Sequence, residues 1–241
     1  MSTSMSIEVQ EASLLPFYLV FDVSYSMEPV IGEVNNAMRA LKNEILKDPI
    51  LGDIARVCVL SFSDEARIDV PMCDLADDTR ITREDFLQVR GGTSFAPIFD
   101  LIGERIAADI ADLKGHGEGK VFRPTVFFVT DGVPTDAVQE WNSAFTRLTS
   151  VKAYPNLVPF GLGDADEEVL RAITFPPYRQ DGYFFMANAG TSAEQAMQAI
   201  TRIVTQSVVS CTQSAVAGTP GVVMDTRGTE GLVNMRKMDV M

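Results

Sequence analysis

The sequence has few cysteines and a single histidine, and both shortages limit its chemistry. Cys58, Cys73 and Cys211 are odd in number and widely spaced, and no C-x-x-C pair occurs. The sequence therefore predicts no disulfide framework. His116 lies in the loop GHGEG, away from the strand ends discussed below, so a Ser-His-Asp triad would have no general base there.

Long apolar runs are also missing. No segment contains the roughly 18 consecutive apolar residues that a membrane-spanning helix needs, so we expect no membrane span. Residues 1–16 have neither a basic region nor a long apolar run and do not resemble a signal peptide. Together with the pattern of cysteines, these features predict a cytoplasmic protein.

Basic residues are outnumbered, because 20 Lys and Arg stand against 33 Asp and Glu and give a formal net charge of −13. Nucleic acid and anionic membranes would be repelled at long range by such a protein. A bound cation or a basic partner would instead be attracted. We therefore predict no nucleic-acid partner and no membrane partner.

Strand-like and helix-like patterns alternate along the 241 residues. Apolar runs predict strands at 17–21, 56–63, 66–75, 125–130, 157–163 and 183–187. Helical apolar spacing predicts helices at about 31–45, 95–113, 138–148, 167–173 and 192–210. Strands separated by helices need crossover connections, which favour parallel pairing with helices on both faces. We therefore predict an α/β fold with a doubly wound, mainly parallel six-stranded sheet and one antiparallel edge strand.

The antiparallel edge strand comes from a predicted hairpin. Only Asp64 and Glu65 separate the runs 56–63 and 66–75, a spacing that is typical of a tight turn between antiparallel strands. Pro71 in the second run has no N–H to donate, which a sheet tolerates at its edge. The second run is therefore expected at an edge.

The chain is expected to form one domain over residues 14–210, preceded by an N-terminal extension at 1–13. Residues 211–241 are rich in Gly and Thr and lack a sustained period, which is typical of a weakly ordered tail. The apolar strings GLVNM and MDVM within this tail leave open that it docks on the domain or on a partner.

Oxygen-bearing side chains follow two of the predicted strands. The string DVSYS places Asp22, Ser24 and Ser26 at alternate positions, which share one side of an extended chain. Asp131 follows the strand TVFFVT, and Thr93 lies in the loop GGTSF that opens a long helix. Ligands of open parallel sheets bind beyond the carboxyl ends of the strands. We therefore expect these five side chains to meet at one rim of the sheet.

Such a donor set suits a hard divalent cation. Two carboxylates and three hydroxyls are all oxygen ligands, which favours Mg²⁺, with Mn²⁺ and Ca²⁺ as alternatives. Hydroxyls carry no charge, so the ion would remain incompletely neutralised. It would favour a further anionic ligand, most simply the carboxylate of an Asp or Glu from a protein partner.

The five residues together resemble the metal-ion-dependent adhesion site of the von Willebrand factor A (VWA) domain family. Its pattern is D-x-S-x-S, a threonine from a later loop, and an aspartate followed by glycine after the next parallel strand. This sequence matches at Asp22, Ser24, Ser26, Thr93 and Asp131 without a departure, and the resemblance covers roughly residues 14–210. It implies that the serines and the threonine touch the metal directly and that the aspartates act through water. It also implies a binding module and not an enzyme.

Within this family, a stand-alone domain of this size resembles the bacterial branch that includes tellurite-resistance-associated proteins. That resemblance implies work beside a Ser/Thr kinase and a PP2C-type phosphatase. A family-derived extension is that metal occupancy shifts the loop at Thr93 and the last helix.

Three other interpretations remain open. The first is a Mg²⁺-dependent phosphatase or phosphotransferase with Asp22 as nucleophile, although Ser24 stands where haloacid-dehalogenase-like folds carry an acid-base aspartate. The second is a metal site that only stabilises the fold. In the third, the serines cap the following helix and Asp131 caps a turn.

Two further motifs predict structure and not chemistry. The string GLGDAD at 161–166 lacks the third glycine of a dinucleotide fingerprint, and it predicts a turn with Asp164 or Asp166 as a helix cap. Trp141 occupies a helical apolar position and is expected in the core.

Overall fold

A computed structural model describes residues 13–115, 120–176, 182–219 and 221–237. Most of the predicted N-terminal extension, His116 and the last four residues lie outside these ranges. Strands are β1 Ser13–Asp22, β2 Ala55–Phe62, β3 Ala66–Cys73, β4 Lys120–Val121, β5 Thr125–Thr130, β6 Asn156–Gly161, β7 Tyr183–Ala187 and β8 Val233–Lys237. Helices are α1 Ile31–Lys47, α2 Pro49–Ile54, α3 Phe95–Gly115, α4 Val138–Ser150, α5 Glu167–Ile173 and α6 Ala193–Val216.

The strands form one mainly parallel sheet in the order β3-β2-β1-β5-β6-β7-β8, with the short β4 beside the start of β1. β3 pairs antiparallel with β2, and β8 pairs antiparallel with β7. The predicted fold class is confirmed. Within the described residues, however, the sheet has eight strands and an antiparallel strand at each edge, which corrects the predicted six and one. β4 has only two residues, and the side chains of β8 are mostly exposed, so neither produces an apolar pattern.

Alternate residues of the central strand enter two separate cores. Phe17, Leu19 and Phe21 of β1 pack with the apolar faces of α1, α2 and α6. Tyr18 and Val20 face the opposite way and pack with α3, α4 and α5. Since side chains alternate along a strand, a continuous apolar run such as 17–21 serves both faces at once. This burial on both sides fixes the register of β1, and therefore the position at which Asp22 leaves the sheet.

The connections that lead to the two neighbours of β1 cross opposite faces of the sheet. α1 and α2 lead from β1 to β2 on one face, and α3 leads from β3 to β5 on the other face. The carboxyl ends of β1 and β5 therefore border a topological switch point, where open α/β sheets form ligand sites. The predicted hairpin is confirmed, and Pro71 lies on the edge strand β3.

The predicted tail contains ordered structure. α6 continues to Val216, past the predicted end at residue 210, because Cys211 and Thr212 are buried and extend its packed face. Residues 221–237 are called here the C-terminal strap. Its first part runs back along α6, and its last five residues form β8. The backbone N–H of Val223 donates to Cys211 Sγ at 3.2 Å, and the N–H of Asp225 donates to Ser207 Oγ at 3.1 Å.

Three further observations bear on the sequence analysis. Among the described residues, every helix is too short or too polar to cross a membrane. The three cysteines are unpaired. Trp141 on α4 is buried in the core that packs α3, α4 and α5 against the sheet, as its spacing predicts.

Candidate metal centre

Asp22 ends β1 and is fully buried. Its Oδ1 accepts a hydrogen bond from the backbone N–H of Ser24 at 2.8 Å. Its Oδ2 accepts a hydrogen bond from the hydroxyl of Thr130 at 2.7 Å. Since Thr130 is the last residue of β5, this carboxylate ties together the ends of two neighbouring strands.

The two serines extend this connection through their side chains. Ser24 Oγ and Ser26 Oγ lie 3.0 Å apart, and the Ser26 hydroxyl donates to Asp131 Oδ1 at 2.8 Å. A 3₁₀ turn at Tyr25–Met27 places the serines on one side of the chain after the strand has ended. A continuous series of oxygen atoms therefore runs from the end of β1 to the first residue after β5.

Thr93 lies beside this series. It is buried, and a Cβ built on Gly132 would lie 3.4 Å from Thr93 Oγ1, so the hydroxyl adjoins the residue that follows Asp131. The backbone N–H of Thr135 donates to the Thr93 carbonyl at 2.7 Å, and its hydroxyl donates to the same oxygen at 2.8 Å. The loop after β5 therefore wraps around Thr93. All five predicted side chains lie at one rim of the sheet; that they bind a metal stays a prediction.

Asp64, in the turn between β2 and β3, holds the loop that carries Thr93. Its Oδ1 accepts from the backbone N–H of Gly92 at 2.9 Å. Gly91 has φ +59°, and a Cβ at this position would lie 2.4 Å from Asp64 Oδ2. Only glycine tolerates both the left-handed backbone and this close approach.

Arg90 anchors the start of the same loop. Its backbone N–H donates to the carbonyl of Val23 at 2.6 Å, and its Nη2 donates to Ser61 Oγ at 2.8 Å. Burial lowers the pKa of Arg90 and raises the pKa of Asp69 on β3, and each charge partly reverses the shift of the other. Within the described residues, Arg90 Nε and Asp69 Oδ2 are buried without a hydrogen-bond partner. The loop is therefore held by the hydrogen bonds of Arg90 to Val23 and Ser61, with the carboxylate of Asp69 as a nearby opposite charge.

Asp136, in the loop after β5, holds the start of α3 beside the site. It accepts hydrogen bonds from the backbone N–H groups of Phe95 at 3.0 Å and Ala96 at 2.7 Å, which are the first residues of α3. Helix starts leave such N–H groups without partners, and here a distant carboxylate satisfies them. α3 thus begins in a fixed place two residues after Thr93.

Sequence reasoning missed four supporting residues, namely Asp64, Arg90, Thr130 and Asp136. Asp64 stands just beyond the end of β2, which is a signal that could have drawn attention to it, whereas Asp136 lies further along the loop after β5. Thr130 and Arg90 carry no such signal, because their partners lie 108 and 29 residues away along the chain.

The two carboxylates of the site share an environment that disfavours their charge. Burial raises the pKa of Asp22 to about 6, and hydrogen bonds from Ser24 and Thr130 partly oppose this. Burial also raises the pKa of Asp131, against the hydrogen bond from Ser26, and nearby Asp164 adds to the rise. Among the described residues, neither carboxylate forms an ion pair. A bound cation would supply the missing positive charge.

The capping interpretation of these residues fails for the serines. Ser24 precedes the 3₁₀ turn without a side-chain capping bond, and α1 begins after Val30, which also makes none. By contrast, Asp166 caps α5 by accepting from the N–H groups of Glu168 and Val169, as the motif GLGDAD predicts.

The donor set fits a hard cation by its chemistry. Described residues include no group of three or more His, Cys, Asp and Glu side chains that could hold a metal ion. This site offers two carboxylates, so metal binding there would depend on the hydroxyls of Ser24, Ser26 and Thr93. Oxygen-only donors of this kind suit Mg²⁺, Mn²⁺ or Ca²⁺.

Comparison with known proteins yields matches in structure only. No protein-family model and no curated protein sequence matches the chain. The pilus adhesin SpaC from Lactobacillus rhamnosus GG, in an open conformation, matches with TM-score 0.63 and 17% identity over 83% of this chain and 30% of that chain. Proximal thread matrix protein 1 from the mussel byssus matches with TM-score 0.58 and 14% identity over 82% of this chain and 48% of that chain.

A second structure of the mussel protein is described with a zinc-occupied MIDAS motif, that is, a metal-ion-dependent adhesion site. It matches with TM-score 0.54 and 13% identity over 82% of this chain and 48% of that chain. The chain spans about half, or less, of the length of these structures. At these identities the likeness shows the fold alone, which is a mixed α/β fold with a mainly parallel central sheet.

Proposed function

We propose that the protein is a metal-dependent protein-binding module. A divalent cation would be held by Asp22, Ser24, Ser26, Thr93 and Asp131 and would bind an Asp or Glu carboxylate of a protein partner. The series of oxygen atoms that joins Ser24, Ser26 and Asp131 carries this proposal, because it gathers side chains from two strand ends at a switch point.

The residues of the site would have different roles in binding the ion. The hydroxyls would supply neutral oxygen ligands, while Asp22 and Asp131 would supply two negative charges. Thr130 and Asp64 hold their neighbours in place and contribute no ligand. The ion, when bound, would supply the positive charge to which an external carboxylate is attracted.

The identity of the ion and of the partner extends this proposal. Mg²⁺ is our first choice, with Mn²⁺ and Ca²⁺ as alternatives, and the zinc-occupied motif of the mussel protein supports a divalent cation in this fold. The resemblance to tellurite-resistance-associated proteins supports work in the cytoplasm beside a Ser/Thr kinase and a PP2C-type phosphatase.

Calorimetric titration of Mg²⁺ and Mn²⁺ into the metal-free protein tests the metal site. We expect one binding site per chain, and a loss of at least tenfold in affinity in Asp131→Asn. Asp166→Asn is the matched control, because it removes an equal charge from the same rim while asparagine keeps the helix cap. Equal affinity in Asp131→Asn and the unaltered protein would reject the site.

The rival enzyme has less support from the geometry. Both oxygens of Asp22 already accept hydrogen bonds and the side chain is buried, which leaves a poor nucleophile. Ser24 offers a weak proton shuttle. We expect no hydrolysis of an aryl phosphate in the presence of Mg²⁺. Turnover that Asp22→Asn abolishes would replace our proposal with the phosphatase.

A purely stabilising metal is distinguished by partner binding. In that case chelation would lower the melting temperature of the protein and leave partner capture intact. We expect chelation to abolish both the stabilisation and the capture.

A further inference from the structure

We infer that the rim around the candidate metal centre is a docking surface for a segment with one acidic residue, an adjacent large apolar residue and flanking lysines or arginines. This inference rests on the proposed function and adds what the partner must carry besides its carboxylate. Two exposed apolar side chains and the charge of the surrounding loops point to it.

Tyr25 stands between the two serines of the candidate site and is 68% exposed, more than any other large apolar side chain in the described residues. Its backbone is fixed, since its N–H donates to the carbonyl of Gly91 at 3.2 Å and its carbonyl accepts from Glu28 at 3.2 Å. A rigid backbone that presents an exposed aromatic ring is typical of residues that anchor protein partners.

Val133 supplies a second exposed apolar side chain at the same place. It is 50% exposed and follows Asp131 by two residues. The Ser26–Asp131 hydrogen bond joins the loop of Tyr25 to the loop of Val133. The double contact of Thr135 with the Thr93 carbonyl then holds the second loop in place. The two apolar side chains thus belong to two fixed loops that meet at the candidate ligands.

The loops at this rim are strongly acidic. The rim loops are residues 22–30, 63–67, 90–95, 131–137 and 162–166. They carry eight carboxylates and two arginines, and no lysine. The carboxylates are those of Asp22, Glu28, Asp64, Glu65, Asp131, Asp136, Asp164 and Asp166.

The two arginines offset only part of this charge. Arg90 is partly buried and donates to Ser61, while Arg67 lies 3.6 Å from Glu65. A divalent cation would leave the rim negative. A partner that approaches with several acidic residues would therefore be repelled, whereas one acid among basic residues would be attracted.

Charge complementarity thus selects the occupant. Its single Asp or Glu would reach the ion, its apolar neighbour would cover Tyr25 and Val133, and its basic flanks would face Glu28, Asp64 and Asp164. Discrimination against acidic flanks would supply specificity that the metal alone cannot give, because the ion binds any accessible carboxylate.

Three fluorescent blocked heptapeptides test this inference by polarisation in Mg²⁺. The first has a central Asp between two leucines with lysines at both ends. The second has glutamates in place of the lysines, and the third has Asn in place of the Asp. We expect the first to bind at least tenfold more tightly than either of the others at low salt. As the salt concentration rises, the difference in affinity between the lysine peptide and the glutamate peptide should decrease.

Substitution of the rim completes the test. Tyr25→Ala should weaken binding of the first peptide at least fivefold while the Mg²⁺ affinity measured by calorimetry stays unchanged. Leu46→Ala is the matched control, because Leu46 is 56% exposed on α1, near the opposite end of the sheet. It should bind the peptide as the unaltered protein does.

The outcomes separate the two proposals. Absence of Mg²⁺ binding would reject the proposed function and the docking surface together. Mg²⁺ binding with equal affinity for the lysine and glutamate peptides, or with no peptide binding at all, would reject only the docking surface. Equal binding of the Asn peptide, or no loss in Tyr25→Ala, would also reject it.

Discussion

The hydroxyl of Ser26 donates a 2.8 Å hydrogen bond to Asp131, although 105 residues separate the two. Ser26 follows β1 and Asp131 follows β5, and these strands pair in parallel at the centre of the sheet. The candidate site therefore exists only when the central pairing has formed. Its geometry depends on how two hydrophobic strands align as well as on the local turn that places the serines.

Ser26→Ala tests this contact. The substitution removes one candidate ligand and the link between the loops, so Mg²⁺ affinity should fall at least tenfold in calorimetry. Because Ser26 is exposed, the free energy of unfolding of the variant should fall by only about 1 kcal/mol, as measured by urea unfolding in the presence of chelator. Ser143→Ala removes an exposed hydroxyl that bonds only Gln139 within α4, and it should leave Mg²⁺ affinity unchanged. Equal affinity in both variants would contradict a role for Ser26.

Arg90→Met should destabilise the metal-free protein by about 1–3 kcal/mol, because it removes the hydrogen bond to Ser61 and one of the positive charges that favour the partly buried carboxylate of Asp69. Mg²⁺ affinity should also fall, since Arg90 anchors the loop of Thr93. Asp69→Asn in the Arg90→Met background should recover part of the stability. A double-mutant cycle by urea unfolding measures this coupling, and additive effects would show that the two charges are independent.

Gly91→Ala should reduce both stability and Mg²⁺ affinity. The left-handed backbone of Gly91 alone makes alanine cost about 1–2 kcal/mol, and the added Cβ would also collide with Asp64. Gly218→Ala is the control, since Gly218 has φ +77° and a Cβ there would meet nothing within 4 Å. It should lose a similar part of the stability and none of the Mg²⁺ affinity. Unfolding and calorimetry of both variants check this, and an unaltered affinity in Gly91→Ala would separate the loop from the site.

Acid should weaken the contact between Asp225 and Arg227 within the C-terminal strap. Hydrogen bonds from the exposed guanidinium of Arg227 lower the pKa of Asp225 to about 2. A lowered pKa of an acid means that its contribution to stability is complete above its ordinary pKa, near pH 4, and is lost as the pH falls toward 2. Asp225→Asn should therefore be less stable than the unaltered protein at pH 6. The difference in free energy of unfolding should shrink as the pH falls from 4, and a constant difference would contradict the assignment.

Much of the fold was predictable because buried strands and amphipathic helices leave regular patterns. The run 17–21 predicts β1 since its side chains fill two cores, and Asp166 predicts the start of α5 since caps act locally. The strap, including β8, was not predictable in the same way. The strap combines backbone contacts to Ser207 and Cys211 with irregularly spaced apolar residues that pack on the core, and neither creates a regular periodicity.

The same distinction applies to the site. That Asp22, Ser24, Ser26 and Asp131 lie together was predictable because they stand at or soon after the ends of strands that end at the same rim. Thr130 was missed, since it lies within an apolar strand and its role appears only when β5 pairs with β1. Arg90 and Asp136 were missed because each acts on an element that is remote in sequence.

The antiparallel course of β8 also determines how the protein can be handled in binding experiments. β1 starts at Ser13 at the end of the sheet opposite the rim, and β8 runs toward that same end and reaches it at Lys237. A dye, an affinity tag or a sensor chip attached near either residue would be separated from the oxygen cluster by the full length of a strand. Immobilised in this way, the domain would present its acidic face to the solution.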